Sequence, residues 1–195
     1  MKGPGSLGGA GGLQDLSYYK ESGTATWEAW YAGSTNGQVM TAINLLADNY
    51  YATGIIFPRA ATLDRIGIYV SAGAGANLGA LGIYTSTSTS NLTPNTRVLD
   101  GGTVSLSAVG AVANAINFAV VPNILYWLAF VPSVNVTIRA TNYSWPWLGM
   151  DNAFNNYASG VWTAASGYAT PMLSPFPACT PQAGVATPLI AVRLA

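Results

Sequence analysis

The feature that most constrains this chain is the rhythm of its apolar runs. Between Asn49 and Ala140 they are short and rich in Ile, Val, Tyr and Trp, and each stops at a cluster of Gly, Pro, Asn or Ser. Strands separated by turns read this way. β-Branched and aromatic side chains pack well on a pleated surface, while Gly, Pro and Asn supply the backbone angles that a reversal needs. Nowhere is the i, i+3, i+4 recurrence of an amphipathic helix sustained. The pattern predicts an all-β chain folded as a jelly-roll-like antiparallel β-sandwich.

In order, Asn49–Pro58 reads as a strand stopped by Pro58, which cannot donate to a central ladder. Ala61–Val70 is the clearest strand. Strict alternation puts Leu63, Arg65, Gly67 and Tyr69 on one face and Asp64, Ile66, Ile68 and Val70 on the other. Its Gly67-Ile68-Tyr69 recurs as Gly82-Ile83-Tyr84 in the next strand, Leu78–Tyr84. The small-residue loop between them is followed by no Lys and no helix pattern, so it is not a phosphate-binding loop. Thr96–Ser107 carries either two strands about Asp100-Gly101-Gly102 or one bulged strand. Asn114–Val121 and Ile124–Val131 are expected to form a hairpin about Pro122-Asn123, and Asn135–Ala140 adds another strand. This gives roughly eight strands between 49 and 140, a sandwich's spacing. Residues 38–46 suit a helical turn or a strand equally, and 187–194 supply a closing strand that pairs back into the sheet.

The flanks differ in character. Residues 1–14 are glycine-rich and hold little that can pack, so they read as a flexible or docking arm, with Gly8, Gly9, Gly11 and Gly12 allowing close backbone approach to another surface. Residues 15–195 form the single sandwich domain. Within it Tyr18, Tyr19, Trp27, Trp30 and Tyr31 make an aromatic stretch suited to core or subunit contact. Residues 141–186 form a long aromatic and Pro-rich excursion. Trp145, Trp147, Tyr157 and Trp162 in that excursion are the candidate contacts for a glycan or a protein partner, because flat rings stack on sugars.

Composition narrows the function classes. Only 7% of residues are charged, and the seven basic and seven acidic side chains cancel. Such a chain has no electrostatic footprint for nucleic acid or an anionic membrane. It also lacks the net charge that keeps a free monomer soluble, which favours burial against other protein. No apolar run is long enough for a membrane-spanning helix. Behind Lys2 there is no apolar h-region, so the N-terminus does not read as a signal peptide.

Catalytic chemistry is thinly supplied. The chain has no histidine, which removes Ser-His and Cys-His catalysis, and Cys179 is its one cysteine. A glycosidase needs two carboxylates flanking one bond, and Asp48, Asp64, Asp100 and Asp151 are the candidates. Asp100 suits the turn before Gly101-Gly102, and Asp64 suits an ion pair with Arg65 or another arginine. The expectation is no enzyme activity, no cofactor and no metal.

Phe57-Pro58, Leu63–Val70, Leu81–Tyr84, Val98–Ser105 and Leu125–Ala129, in that order, resemble a β-sandwich domain of tailed-bacteriophage structural proteins, of the tail-fibre and receptor-binding type. The resemblance covers roughly residues 50–140. Ala80 stands where that family often has Arg, and Pro122-Asn123 where it often has Pro-Gly. The resemblance implies a virion component, homotrimeric, assembled in the host cytoplasm. It would be a tail-fibre, baseplate or spike part that binds other virion proteins through its arm and a host-surface glycan through its aromatics. The alternatives are a head decoration protein or a glycan-binding module.

Overall fold

A computed structural model describes residues 30–32, 40–88, 92–142, 161–182 and 185–195. Thirteen strands are described: β1 (Trp30–Ala32), β2 (Met40–Leu45), β3 (Asn49–Ile56), β4 (Ala61–Ala72), β5 (Leu78–Ser86), β6 (Pro94–Ser105), β7 (Gly110–Val120), β8 (Leu125–Pro132), β9 (Val136–Thr141), β10 (Val161–Ala165), β11 (Thr180–Pro181), β12 (Thr187–Pro188) and β13 (Ala191–Leu194). All pairings among the described strands are antiparallel, and the two sheets pack as a β-sandwich.

The topology is a jelly roll. One sheet contains β2-β9-β4-β7 and the other β3-β8-β5-β6. The pairs β2/β9, β3/β8, β4/β7 and β5/β6 are those of one long hairpin, β2–β5 against β6–β9, rolled up so that consecutive pairs alternate between sheets. Additional strands extend this frame. β10 and β11 widen the second sheet beyond β3. β12 pairs with β9, and β13 takes the edge of β4 that β9 leaves, with β1 beyond it. The closing segment does therefore return into a sheet.

Rolling the hairpin corrects one expectation. β7 and β8 are joined through Pro122-Asn123, but they do not pair. β7 pairs with β4 in the first sheet and β8 with β3 and β5 in the second. The tight connection, with Asn123 at φ 61°, carries the chain from one sheet to the other. Asn is among the few residues that tolerate this left-handed geometry. Thr96–Ser107 is one bulged strand, so seven strands rather than roughly eight lie between 49 and 140. Residues 40–45 are a strand.

The core between the sheets is built from inward positions such as Leu63, Ile66, Ile68, Leu81, Leu128 and Phe130, each at most 5% exposed. Burying a side chain of this size contributes about 1.5–3 kcal/mol, so this layer supplies the main driving force. Strict alternation along β4 placed Leu63 with Arg65, Gly67 and Tyr69. Instead the register of β4 against β7 shifts between Leu63 and Arg65. The extra residue at Asp64 turns Leu63 inward to join Ile66, Ile68 and Val70.

Where β6 and β7 meet, the two sheets are laced at the edge. The Asn114 side-chain amide on β7 donates to the carbonyls of Gly101 (2.7 Å) and Thr103 (3.0 Å) on β6. These carbonyls flank the β6 bulge, where Gly102 has φ 71°. The Asp100 carboxylate accepts the Gly102 amide at 3.2 Å, the turn role expected for it.

Candidate functional site

The repeated Gly-Ile-Tyr triplet places two similar cradles on opposite outer faces of the sandwich. In each, the central isoleucine points into the core, Ile68 at 5% and Ile83 at 0% exposure. With a period of two, the Gly and Tyr on either side point outward. Each tyrosine also faces an arginine across the ladder. Tyr84 on β5 is opposite Arg97 on β6. Tyr69 on β4 lies one step from the Val70–Ile138 pair, and the Arg139 guanidinium on β9 stacks 3.6 Å above its ring centre.

The second-sheet cradle is filled by the chain itself. Residues 166–177 leave β10 and form a strap over this face, anchored first at Asp48, whose carbonyl accepts the amides of Ser166 and Gly167 and whose carboxylate accepts that of Tyr168 at 2.8 Å. The sulfur of Met172 sits over Gly82, 3.2 Å from where a Cβ would lie. Arg97 donates from its guanidinium to the Met172 carbonyl. The Tyr84 hydroxyl donates to the Leu173 carbonyl at 2.6 Å, and the Leu173 amide donates to the Tyr50 hydroxyl at 3.2 Å. The Phe176 ring then stands edge-on to Tyr84 and Tyr50 at 5.1 and 5.6 Å. Burial beneath this strap pushes the Tyr84 hydroxyl well above the usual phenol range and raises that of Tyr50 as well.

Among the described residues nothing lies over the first-sheet cradle. Its floor is a row of residues with little or no side chain, Ala32, Ala191, Gly67 and Ala113, aligned across β1, β13, β4 and β7 by their register. One flanking row is Trp30, Arg193, Arg65 and Ala115, and the other carries Tyr69, Arg139 and Ala111. At strand spacing the floor is about 14 Å long, and the flanking rows are about 13 Å apart. The trough has a volume of about 290 Å³, with Met40 and Leu189 completing its wall. Neither the Tyr69 hydroxyl nor the Arg139 guanidinium has a hydrogen-bond partner among the described residues. Asp64 forms a two-pronged pair with Arg193, at 2.8 and 2.6 Å. The hydrogen bonds from Arg193 hold its carboxyl below the usual range.

A smaller cleft of about 210 Å³ opens between β2 and β10, with Asn44, Asn49, Thr163 and Gln182 among its lining. There the Gln182 side-chain amide donates to Thr163 Oγ1 at 2.8 Å.

Of the residues singled out from the sequence, Trp162 lies on β10 opposite Ala52, half-buried and edge-on to Trp127 at 6.0 Å. Its indole nitrogen is buried without a hydrogen-bond partner. Trp145, Trp147 and Tyr157, together with Gly8, Gly9, Gly11 and Gly12, lie outside the described residues, as does Asp151. The Tyr69–Arg139 cradle was not singled out, although the repeated triplet was its visible trace. Among the described residues no three His, Cys, Asp or Glu side chains come together, and no helix is long and apolar enough to cross a membrane. No family model matches the chain, and no curated protein matches it.

Proposed function

We propose that this chain is a non-catalytic structural protein of a tailed-bacteriophage particle, of tail-fibre, baseplate or spike type, working as a homotrimer through its outer faces. The observation that carries the non-catalytic part is the state of the described carboxylates. Asp48 is tied to a backbone amide, Asp64 to Arg193 and Asp100 to its own turn. A general acid or base must be free to reach a substrate proton, and each of these groups has a structural partner instead. The phage assignment is supported by the ordered resemblance over residues 50–140, the span that supplies β3 to β9 of the jelly roll. An open apolar trough on a charge-poor sandwich supports a role in contact with other molecules.

Light scattering on the purified chain tests the assembly. A mass three times the 20.2 kDa chain is expected, whereas a monomer at every concentration would refute the trimer. Antibodies against the chain, applied to particles of the phage that encodes it, test the location. Labelling is expected on the tail or baseplate. Label on the capsid would give the head decoration role, and no label would sink the virion reading.

A further inference from the structure

The two Gly-Ile-Tyr cradles share their parts but not their occupancy. On the second sheet the smooth floor at Gly82 takes a methionine side chain, and the Arg97 and Tyr84 donors take the carbonyls of two successive residues. On the first sheet Gly67 offers the same floor, and Tyr69 with Arg139 offers the same donors, unspent among the described residues. We propose that the first-sheet trough is a docking cradle for an extended segment of another polypeptide. That segment lays one flexible apolar side chain over Gly67 and Ala113 and gives its neighbouring carbonyls to Arg139 and Tyr69.

Three observations on this face support that occupant. The strap shows what this arrangement of Gly, Tyr and Arg holds within the same molecule, and it holds backbone rather than a charged group. The trough runs out over the edge of β7 that no described strand pairs, where Ala111, Ala113 and Ala115 are exposed, so among the described residues no wall blocks a chain entering or leaving there. Arg139 lines the trough with no ion-pair partner among the described residues, and Arg65 stands on the flanking row, while Arg193 is already paired with Asp64. The segment that fits best therefore has an acidic residue beside its apolar one. The inference goes beyond the phage reading and does not depend on it.

The probe is a synthetic peptide of the strap sequence, residues 169–177, and a second version with Asp in place of Ser174. Both are fluorescently labelled and titrated with the full chain while anisotropy is followed. Saturable binding is expected, tighter for the acidic version at low salt. Ala113→Leu, which fills the trough from an exposed position, is expected to weaken binding at least tenfold, and Arg139→Ala to weaken it similarly. Ala119→Leu, exposed on the same strand but outside the trough, is expected to leave binding unchanged. Absence of saturable binding up to millimolar peptide, or binding that Ala113→Leu leaves intact, would overturn the proposal. So would a wild-type oligomer that Ala113→Leu returns to monomer, which would give the trough to a second copy. Saturable binding of a neutral oligosaccharide, lost in Ala113→Leu while the peptides do not bind, would overturn it in favour of a glycan.

Discussion

Gly79→Ala tests how tightly the inner layer is fitted. Gly79 lies on β5, between β6 and β8, and points at the Phe130 ring. A Cβ built there would sit 2.2 Å from one ring carbon of Phe130 and 2.6 Å from the next. Real contacts do not come that close, so something must move. Phe130 is fully buried, and β5 is held by ladders on both sides, which leaves little room for either to yield. Overpacking of this kind costs about 1–3 kcal/mol. Alanine also restricts the unfolded chain, which returns about 0.4–1 kcal/mol. The expected net loss is about 1–2 kcal/mol, read as a lower urea midpoint at unchanged slope by tryptophan fluorescence. Phe130→Leu shortens the clashing group and by itself costs less than the ~3–5 kcal/mol of Phe→Ala in a core. Combined with Gly79→Ala it should relieve the clash, so the double variant is expected to be more stable than the sum of the singles predicts by at least about 1 kcal/mol. A Gly79→Ala chain with the wild-type midpoint, or a double variant additive within about 0.3 kcal/mol, would refute the fit.

Other perturbations address the strap, the bulge and the ion pair. Tyr84→Phe removes the donor to Leu173 and is expected to cost about 1–2 kcal/mol, with faster amide exchange at Leu173 and Phe176 but not in β8. Asn114→Ala strips the carbonyls of Gly101 and Thr103 of one donor each and is expected to cost about 1–2 kcal/mol, again read from the urea midpoint. Asp64 has its carboxyl lowered by Arg193, so its stabilising effect is present above the unfolded carboxyl value of about 3.9 and is lost as pH falls through the lower folded value. Asp64→Asn should therefore flatten the fall of the urea midpoint below about pH 4, and an unchanged acid slope would refute the pairing.

The parts of this fold that are local in the chain were legible, and those decided by distant pairing were not. Period-two alternation gave β4 and placed both Gly-Ile-Tyr triplets on strands. Pro58 lies just beyond β3, as a residue that cannot donate to the ladder should. The Pro122-Asn123 connection was misread because a tight turn looks the same whether the flanking strands pair or part. What separates them is the pairing of β7 with β4 and β8 with β3, set by contacts tens of residues away. Leu63 was misplaced because one bulged residue reverses every face beyond it, and its neighbour Asp64 meets an arginine 129 positions along the chain.

The cradles show how far a short motif carries. Gly-Ile-Tyr alone fixes an inward isoleucine between a smooth spot and an aromatic hydroxyl, and it does so on both sheets. It cannot name the arginine that completes the set, because Arg97 and Arg139 arrive through the registers of β6 and β9. Nor can it say what lies on top. On the second sheet the answer is in the same chain, since residues 172–176 spend both donors and bury the tyrosine. On the first sheet no described residue engages the donors beside a floor of alanine and glycine, where any larger outward side chain would close the trough. Ala113 is exposed, so keeping it small does nothing for the packing between the sheets. Its replacement by leucine is therefore expected to leave the urea midpoint within about 0.5 kcal/mol of wild type while abolishing peptide binding. That combination distinguishes a contact surface from a mere gap in the wall of the sandwich.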